Sequence, residues 1–294
     1  MKCVPRASSC ARWFQIITFL IVLSGMLTSV TVAQSRKQTL IFAVSSESGE
    51  ASIDAVALVV GKRLRAPYTD EQKEKQKDFA NDYFKQGTVY RLIFGGGEGG
   101  NATINKWSEG CNNIHGQATI STSAKLGGKV MALATNSDAL GKRSMSRRPP
   151  TEAERAATLA LMKTIYQQRR TPASLMSAIK VTNLTASDLN GDGKFEMIGS
   201  FTLTARNKFQ RDLFLIATPQ GSAMRAEFVK FQAYQPPAEG FLSSIDFIDQ
   251  LDVDGDGTGE VFATMGAFDG YAYVVFKKMG TRWRQVHDTI GDLC

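Results

Sequence analysis

The stretch Asp252-Val-Asp254-Gly-Asp256-Gly257-Thr258-Gly-Glu260 decides how the C-terminal half of this chain is read. It has an upstream counterpart, Asp188-Leu-Asn190-Gly-Asp192-Gly193-Lys194-Phe-Glu196. Both fit D-x-[DN]-x-D-G-x-x-E. Oxygen groups at positions 1, 3, 5 and 9, with a main-chain carbonyl at 7, form a donor set that wraps a hard cation. Glycine at position 6 permits the tight turn. The spacing therefore predicts two Ca²⁺ sites. One uses Asp188, Asn190, Asp192, the Lys194 carbonyl and Glu196; the other uses Asp252, Asp254, Asp256, the Thr258 carbonyl and Glu260. Four acidic residues converging in the second loop repel one another unless a cation sits among them. The first loop has three carboxylates and an asparagine, so it is expected to bind more weakly. The competing reading is an Asp/Asn/Gly-rich turn without metal. Catalysis by these groups is disfavoured, because full ligation leaves no free base.

The flanks separate the possible loop types. An EF-hand needs helices on both sides and a bidentate glutamate at position 12. Position 12 is Gly199 in the first loop and Ala263 in the second. Dockerin-like pairs sit closer together and lead into helices. Here each loop leads into strand-like sequence, Phe195-Glu-Met-Ile-Gly-Ser-Phe201 and Gly259-Glu-Val-Phe-Ala263. From Lys180 the apolar period is two, and strands are expected at 180–187, 195–204, 212–218 and 225–233. After Pro236-Pro237 they are expected at 243–251, 259–266, 271–277 and 282–287. Asp188 and Asp252 are 64 residues apart, so each loop falls between the first and second strands of a four-stranded set. That is an internal repeat of propeller-blade size.

On these two motifs and their strand flanks, residues 180–290 resemble the calcium loops of FG-GAP and VCBS-type repeats, known from integrin-like β-propellers. The resemblance implies Ca²⁺ held on the outside of each blade by the ten residues above. Two features depart from it. Only two clear repeats are present, whereas a closed propeller usually takes at least four blades. Position 9 is glutamate, longer than the commoner aspartate.

The fold class expected is mainly β with a few helices (α+β). Two four-stranded, propeller-blade-like repeats lie at the C-terminus, and a β-rich domain of unknown type precedes them. The boundaries are a signal peptide over 1–33, the β-rich domain over 34–135, a linker with helices over 136–179, and the repeats over 180–294. Strands are read at Thr39-Leu-Ile-Phe-Ala-Val44, Ala55-Val-Ala-Leu-Val-Val60, Val89-Tyr-Arg-Leu-Ile-Phe94, 101–107, 117–121 and 129–134. This region supplies either degenerate blades or a separate domain. A polar helix spans 70–86, opened by Thr69 and Gln72 at capping-box spacing. Gly95-Gly-Gly-Glu-Gly-Gly100 contains G-x-G-x-x-G, but it leads into a strand. No helix N-terminus is offered to phosphate, and a flexible hairpin tip is the better reading. The stretch 136–150, ending Arg147-Arg148-Pro149-Pro150, reads as a solvated basic connector. Thr151-Glu-Ala-Glu154 is a capping box for a helix to about Arg170. Ala156, Leu159, Met162, Lys163 and Tyr166 do not make a clean face; Ala156, Leu159, Ala160 and Lys163 fit better, which leaves the orientation open, and a short helix over 173–179 follows.

The first 33 residues have the layout of a secretory signal peptide. Lys2, Arg6 and Arg12 precede an apolar core, and Thr31-Val-Ala33 offers a cleavage site. The alternative is an uncleaved anchor, though the core is shorter than the ~20 residues of a span. No later stretch is expected to cross a membrane as a helix. Cleavage leaves 261 residues with a net charge of +4, which is not a nucleic-acid signature. The expected location is secreted or periplasmic. Cys111 and Cys294 then remain. They either form one intrachain disulfide or stay as unpaired thiols. Trp107, Tyr271, Tyr273 and Trp283 alternate within strands and read as core more than as sugar-stacking groups. His115 reads as a loop residue near Cys111. The function expected is an exported calcium-binding protein with a binding, adhesion or scaffold role toward an unknown protein or glycan. The alternative is an exported hydrolase with structural calcium, with Asp269, His287 and Asp288 as candidate groups. No nucleophile elbow or zinc motif accompanies them.

Overall fold

Period-two alternation along the first strand sets the layering of the molecule. In the computed structural model, Leu40, Phe42 and Val44 of β1 (Thr39–Glu47) enter one apolar cluster, while Ile41 and Ala43 enter another. Neighbouring side chains of a strand point to opposite faces, so β1 is buried on both. The structure describes residues 38–47, 50–68, 73–128, 130–205, 209–234, 244–267 and 270–293. The signal-peptide reading, the Thr69 and Gln72 cap, Asp269 and Cys294 fall outside them.

Residues 38–135 close into a barrel. Its strands run in the order β1, β7 (Ala132–Thr135), β4 (Val89–Phe94), β5 (Gly97–Glu109), β6 (Ile114–Thr122) and β2 (Glu50–Val60). β2 then pairs back onto β1 in antiparallel register, and β3 (Arg63–Arg65) hangs on β2 outside the ring. Helix α1 (Lys73–Tyr83) brings Phe79 and Ala80 into the interior, beside Phe84, Tyr90 and Phe42. This region is therefore a barrel and not a set of degenerate blades.

The C-terminal half forms the two expected four-stranded antiparallel meanders. The first is β9 (Lys180–Ser187), β10 (Glu196–Ala205), β11 (Phe209–Gln220) and β12 (Ala223–Tyr234). The second is β13 (Ile245–Leu251), β14 (Glu260–Ala267), β15 (Gly270–Met279) and β16 (Arg282–Leu293). The two sheets stack on the barrel as successive layers. On β15, Tyr273 and Val275 face the barrel strands, while Val274 and Phe276 face the first sheet. Burial on both faces explains the unbroken apolar run Ala272-Tyr-Val-Val-Phe276. Burying each such side chain contributes about 1.5–3 kcal/mol. The outer face of the first sheet, Met197, Phe201, Leu213 and Leu215, is covered by α2 (Glu152–Gln168).

Helix α2 starts as its capping box dictates. Glu154 N donates to Thr151 Oγ1, and Thr151 N donates to the Glu154 carboxylate over 2.7 Å. Its buried face is Thr158, Met162, Ile165 and Tyr166, with Leu159 packed at its edge as expected, while Ala156, Ala160 and Lys163 are exposed. Thr158 is admitted because its hydroxyl is satisfied by the Glu154 carbonyl, which leaves its methyl for packing. Tyr166 is admitted because its hydroxyl reaches the Phe201 and Arg211 carbonyls. The short segment after Pro172 is a 3-10 helix, Ala173–Ala178.

The connector is not a solvated linker. Arg147 and Arg148 form a two-residue strand, β8, which adds to β9 and makes the first sheet five-stranded. Pro149 and Pro150 follow and offer no N–H, so the pairing stops there. The glycine-rich tip is the hairpin turn between β4 and β5, as expected, but it is buried. Gly95 and Gly96 hold φ of 59° and 77°. A Cβ on Gly95 would lie 2.6 Å from Arg147 N, so the connector's main chain passes directly over the tip.

Candidate metal centre

Each acidic loop is built by its own first aspartate. In the first loop, Gly191 N donates to Asp188 Oδ1 over 2.7 Å, and Gly193 N to Asp188 Oδ2 over 2.9 Å. In the second, Gly255 N donates to Asp252 Oδ1 over 2.8 Å, and Gly257 N to Asp252 Oδ2 over 3.1 Å. The pattern continues position by position. Position 5 N donates to the position 3 side chain, and position 7 N to the position 5 carboxylate. The position 9 glutamate returns to the second residue: Leu189 N donates to Glu196, and Val253 N to Glu260. These bonds place Asp188, Asn190, Asp192 and Glu196 around one loop and Asp252, Asp254, Asp256 and Glu260 around the other. Lys194 and Thr258 occupy position 7 of each turn. The glycines at positions 4 and 6 all have positive φ, between 73° and 92°.

The loops touch each other. Gly259 N donates to the Leu189 carbonyl over 2.6 Å. Arg143 from the connector spans both, donating to the Leu189 carbonyl and pairing with Asp252 Oδ2 at 3.1 Å. Gln250 Nε2 lies within bonding distance of Ser146 Oγ, Ser187 Oγ and the Asp188 carbonyl.

Their electrostatics differ. Glu196 is buried, and burial pushes its carboxyl up to about 7, with Asp192 and Asp188 adding to the rise. Among the described residues, no lysine or arginine side chain pairs with Asp188, Asp192 or Glu196. In the second loop Asp252, Asp254 and Glu260 bring carboxylate oxygens within 4.8 Å of one another, a spacing that suits a metal ion. That space already holds an ammonium. Lys277 Nζ of β15 lies 2.8 Å from Asp254, 2.7 Å from Asp256 and 2.7 Å from Glu260. Burial works against its charge, and the three carboxylates outweigh it and raise Lys277 above the usual lysine range. The first loop thus has acids without a basic partner, but among the described residues only the acids of the second loop stand at metal-holding spacing. The donor set of the second fits a divalent cation only if Lys277 withdraws.

Two further polar clusters lie behind the loops. Asp249 and Arg147 form an ion pair at 3.5 Å with side chains almost fully buried. Asp249 also takes Gly95 N at 2.9 and 3.0 Å. Arg147 donates to the Met131 and Ile248 carbonyls and lies between the rings of Phe94 and Phe247. On the far side of the second sheet, Asp54 of β2 gathers His115 Nδ1 at 2.5 Å, Tyr271 Oη at 3.1 Å and Tyr273 Oη at 2.6 Å. His115 Nε2 is 3.3 Å from Asp292. The Asp54 bond raises His115 to about 9 against the opposing effect of burial. Tyr271, Tyr273 and Asp54 line a cavity of about 260 Å³.

Sequence reasoning found the ten loop positions and missed the groups that neutralise or surround them. Lys277 carries a register signal, since it lies one residue beyond the pair of Phe276 with Val261. Asp54 and Asp292 carry none. His115 sits on β6 and not in a loop, although it lies near Cys111 as expected. His287 is buried on the last strand, with Nε2 3.1 Å from the Val56 carbonyl. Tyr273 and Trp283 are core residues. Cys111 is disulfide-bonded, with its other half outside the described residues. No described helix is long and apolar enough to cross a membrane. In comparisons with protein-family models, with curated proteins and with solved structures, the chain finds no match.

Proposed function

We propose that this is an exported calcium-binding protein whose stacked β-sheets serve a binding, adhesion or scaffold role, with Ca²⁺ held by the first acidic loop. The observation that carries the reading is Glu196. It is a buried carboxylate beside Asp188 and Asp192 with no basic partner among the described residues, in a turn already shaped by Asp188. Uncompensated buried acid is costly, and a divalent cation removes the cost. The charge balance favours the first loop over the second, against both the order expected from carboxylate number and the closer gathering of Asp252, Asp254 and Glu260 in the second. The first has three acids and no basic partner, and the second has four acids offset by Lys277 and Arg143. The reading as FG-GAP/VCBS-type repeats belongs to the same proposal. The place of each loop, between the first and second strands of a four-stranded meander, supports it.

Export is supported by the disulfide on Cys111, which suits an oxidising compartment. Cys294 is the partner we propose. Asp292, two residues before it, accepts from Asn112 N and lies near His115. A hydrolase reading would centre on Asp54 beside its cavity, but that carboxylate already serves His115 and two phenols, which leaves no free base.

Thermal unfolding in Ca²⁺ and in EGTA tests the proposal. At a hundredfold excess over Kd the ion stabilises the native state by about 2.7 kcal/mol. The Tm should rise with Ca²⁺, and Asp188→Ala should abolish the rise. An unchanged Tm in the parent protein would sink the reading.

A further inference from the structure

We infer that Lys277 is the resident cation of the second acidic loop, so that the chain carries one divalent-ion site and one loop held by its own ammonium. The inference rests on the reading of both loops as cation loops. Lys277 Nζ lies 2.7 to 2.8 Å from Asp254, Asp256 and Glu260, the residues at positions 3, 5 and 9 of the motif. Those distances are ordinary for charge-assisted hydrogen bonds. The fourth acid, Asp252 at position 1, is taken by Arg143 at 3.1 Å. Every carboxylate of the loop thus has a basic partner supplied by the chain.

The first repeat provides the internal control. Phe276 faces Val261, the residue after Glu260, and Lys277 follows Phe276. In the first sheet Ala217 faces Met197, the residue after Glu196, and Thr218 follows Ala217. Threonine therefore stands where the second repeat has lysine. A threonine side chain is too short and carries no charge to fill a cation's place. One motif is completed in two ways, by an ion from solution in one repeat and by a strand side chain in the other. The shape of both loops comes from their own aspartates; what Lys277 adds on β15 is charge, set against three of the four acids of the second loop. Its ammonium competes with any incoming Ca²⁺ as a tethered group, at an effective concentration that does not depend on the solution.

Ion counting tests this. Native mass spectrometry and calorimetric titration with CaCl₂ on the full chain should show one Ca²⁺ bound, lost in Asp188→Ala and unchanged in Asp252→Asn. Lys277→Thr, which installs the residue of the first repeat, should raise the count by one. The added ion should bind roughly two orders of magnitude more tightly than any residual binding at that loop in the parent. Lys277→Met gives a second variant of near-equal length and should do the same. Should both variants fold only with Ca²⁺ present, that result also supports the inference. A parent chain that binds a second ion sensitive to Asp252→Asn would overturn it, as would a count unchanged by either lysine substitution. A parent that binds no ion while Lys277→Thr binds one would refute the first-loop site and leave the role of Lys277 standing.

Discussion

Tyr273 on β15 donates its hydroxyl to Asp54 on β2 over 2.6 Å, across 219 residues of sequence. That bond ties the last sheet to the barrel wall, and Asp54 is its hub. Truncation to Asp54→Ala strands a buried imidazolium and two phenols, and should cost about 3–5 kcal/mol. Asp54→Asn keeps the shape and should cost about 1–3 kcal/mol. Urea unfolding measures both. A loss below about 1 kcal/mol for the alanine variant would mean the network is ornamental.

The same hub sets a pH dependence. His115 is raised in the folded state to about 9, chiefly by its bond to Asp54 and against burial. Its unfolded value is near 6.5. A raised histidine stabilises fully below the unfolded value and loses that stability as pH climbs through the folded one. Stability should therefore fall between about pH 6.5 and 9, by on the order of 2–3 kcal/mol. His115→Gln should flatten the curve across that window. A parent curve already flat there would contradict the charge assignment.

Arg147 and Asp249 form the buried pair at the junction of barrel, connector and second sheet. Arg147→Met leaves the Asp249 carboxylate without its cation and should cost about 3–5 kcal/mol. Adding Asp249→Leu removes the orphaned charge, so the double variant should be more stable than the single one. Denaturant midpoints of the three proteins decide the matter, and simple additivity would exclude a coupled pair.

Two glycines of similar φ offer a packing test. Gly61 has φ of 63° with open space around a would-be Cβ, whereas Gly95 has φ of 59° with Arg147 N only 2.6 Å away. Both alanine variants carry left-handed strain of about 1 kcal/mol. Only Gly95→Ala also collides with main chain, adding about 1–3 kcal/mol. Equal Tm losses in the two variants would show that the connector does not pack on the tip.

The strands of the C-terminal half were legible because period two and the spaced acidic loops agree, and each loop marks a strand end by its glycines. The barrel strands were legible singly, but their closure was not, since β1 meets both β2 and β7 through main-chain bonds that leave no residue signature. The connector misled because Arg147 looks solvated by type. Its burial depends on Asp249, on two carbonyls and on two aromatic rings from distant strands. The helix α2 face was legible at Leu159 and misleading at Thr158, which counts as polar until its hydroxyl bonds its own helix. At the loops, the motif named the acids and was silent on Lys277, which comes from a neighbouring strand.

Arg147 is separated by 101 residues from Ile248, whose carbonyl accepts its guanidinium. Met131 and Phe94 supply one side of its surroundings, and β13 supplies the rest, the Ile248 carbonyl, Asp249 and the Phe247 ring. The seam between the glycine tip and the connector therefore depends on the C-terminal half for the burial of its arginine. A fragment ending before Asp249 lacks the carboxylate that pairs with Arg147, however complete its barrel strands. Contacts of such long range also slow folding. The two halves of this chain are thus one folding problem, and cutting them apart as modules would leave a charge exposed on each side of the cut.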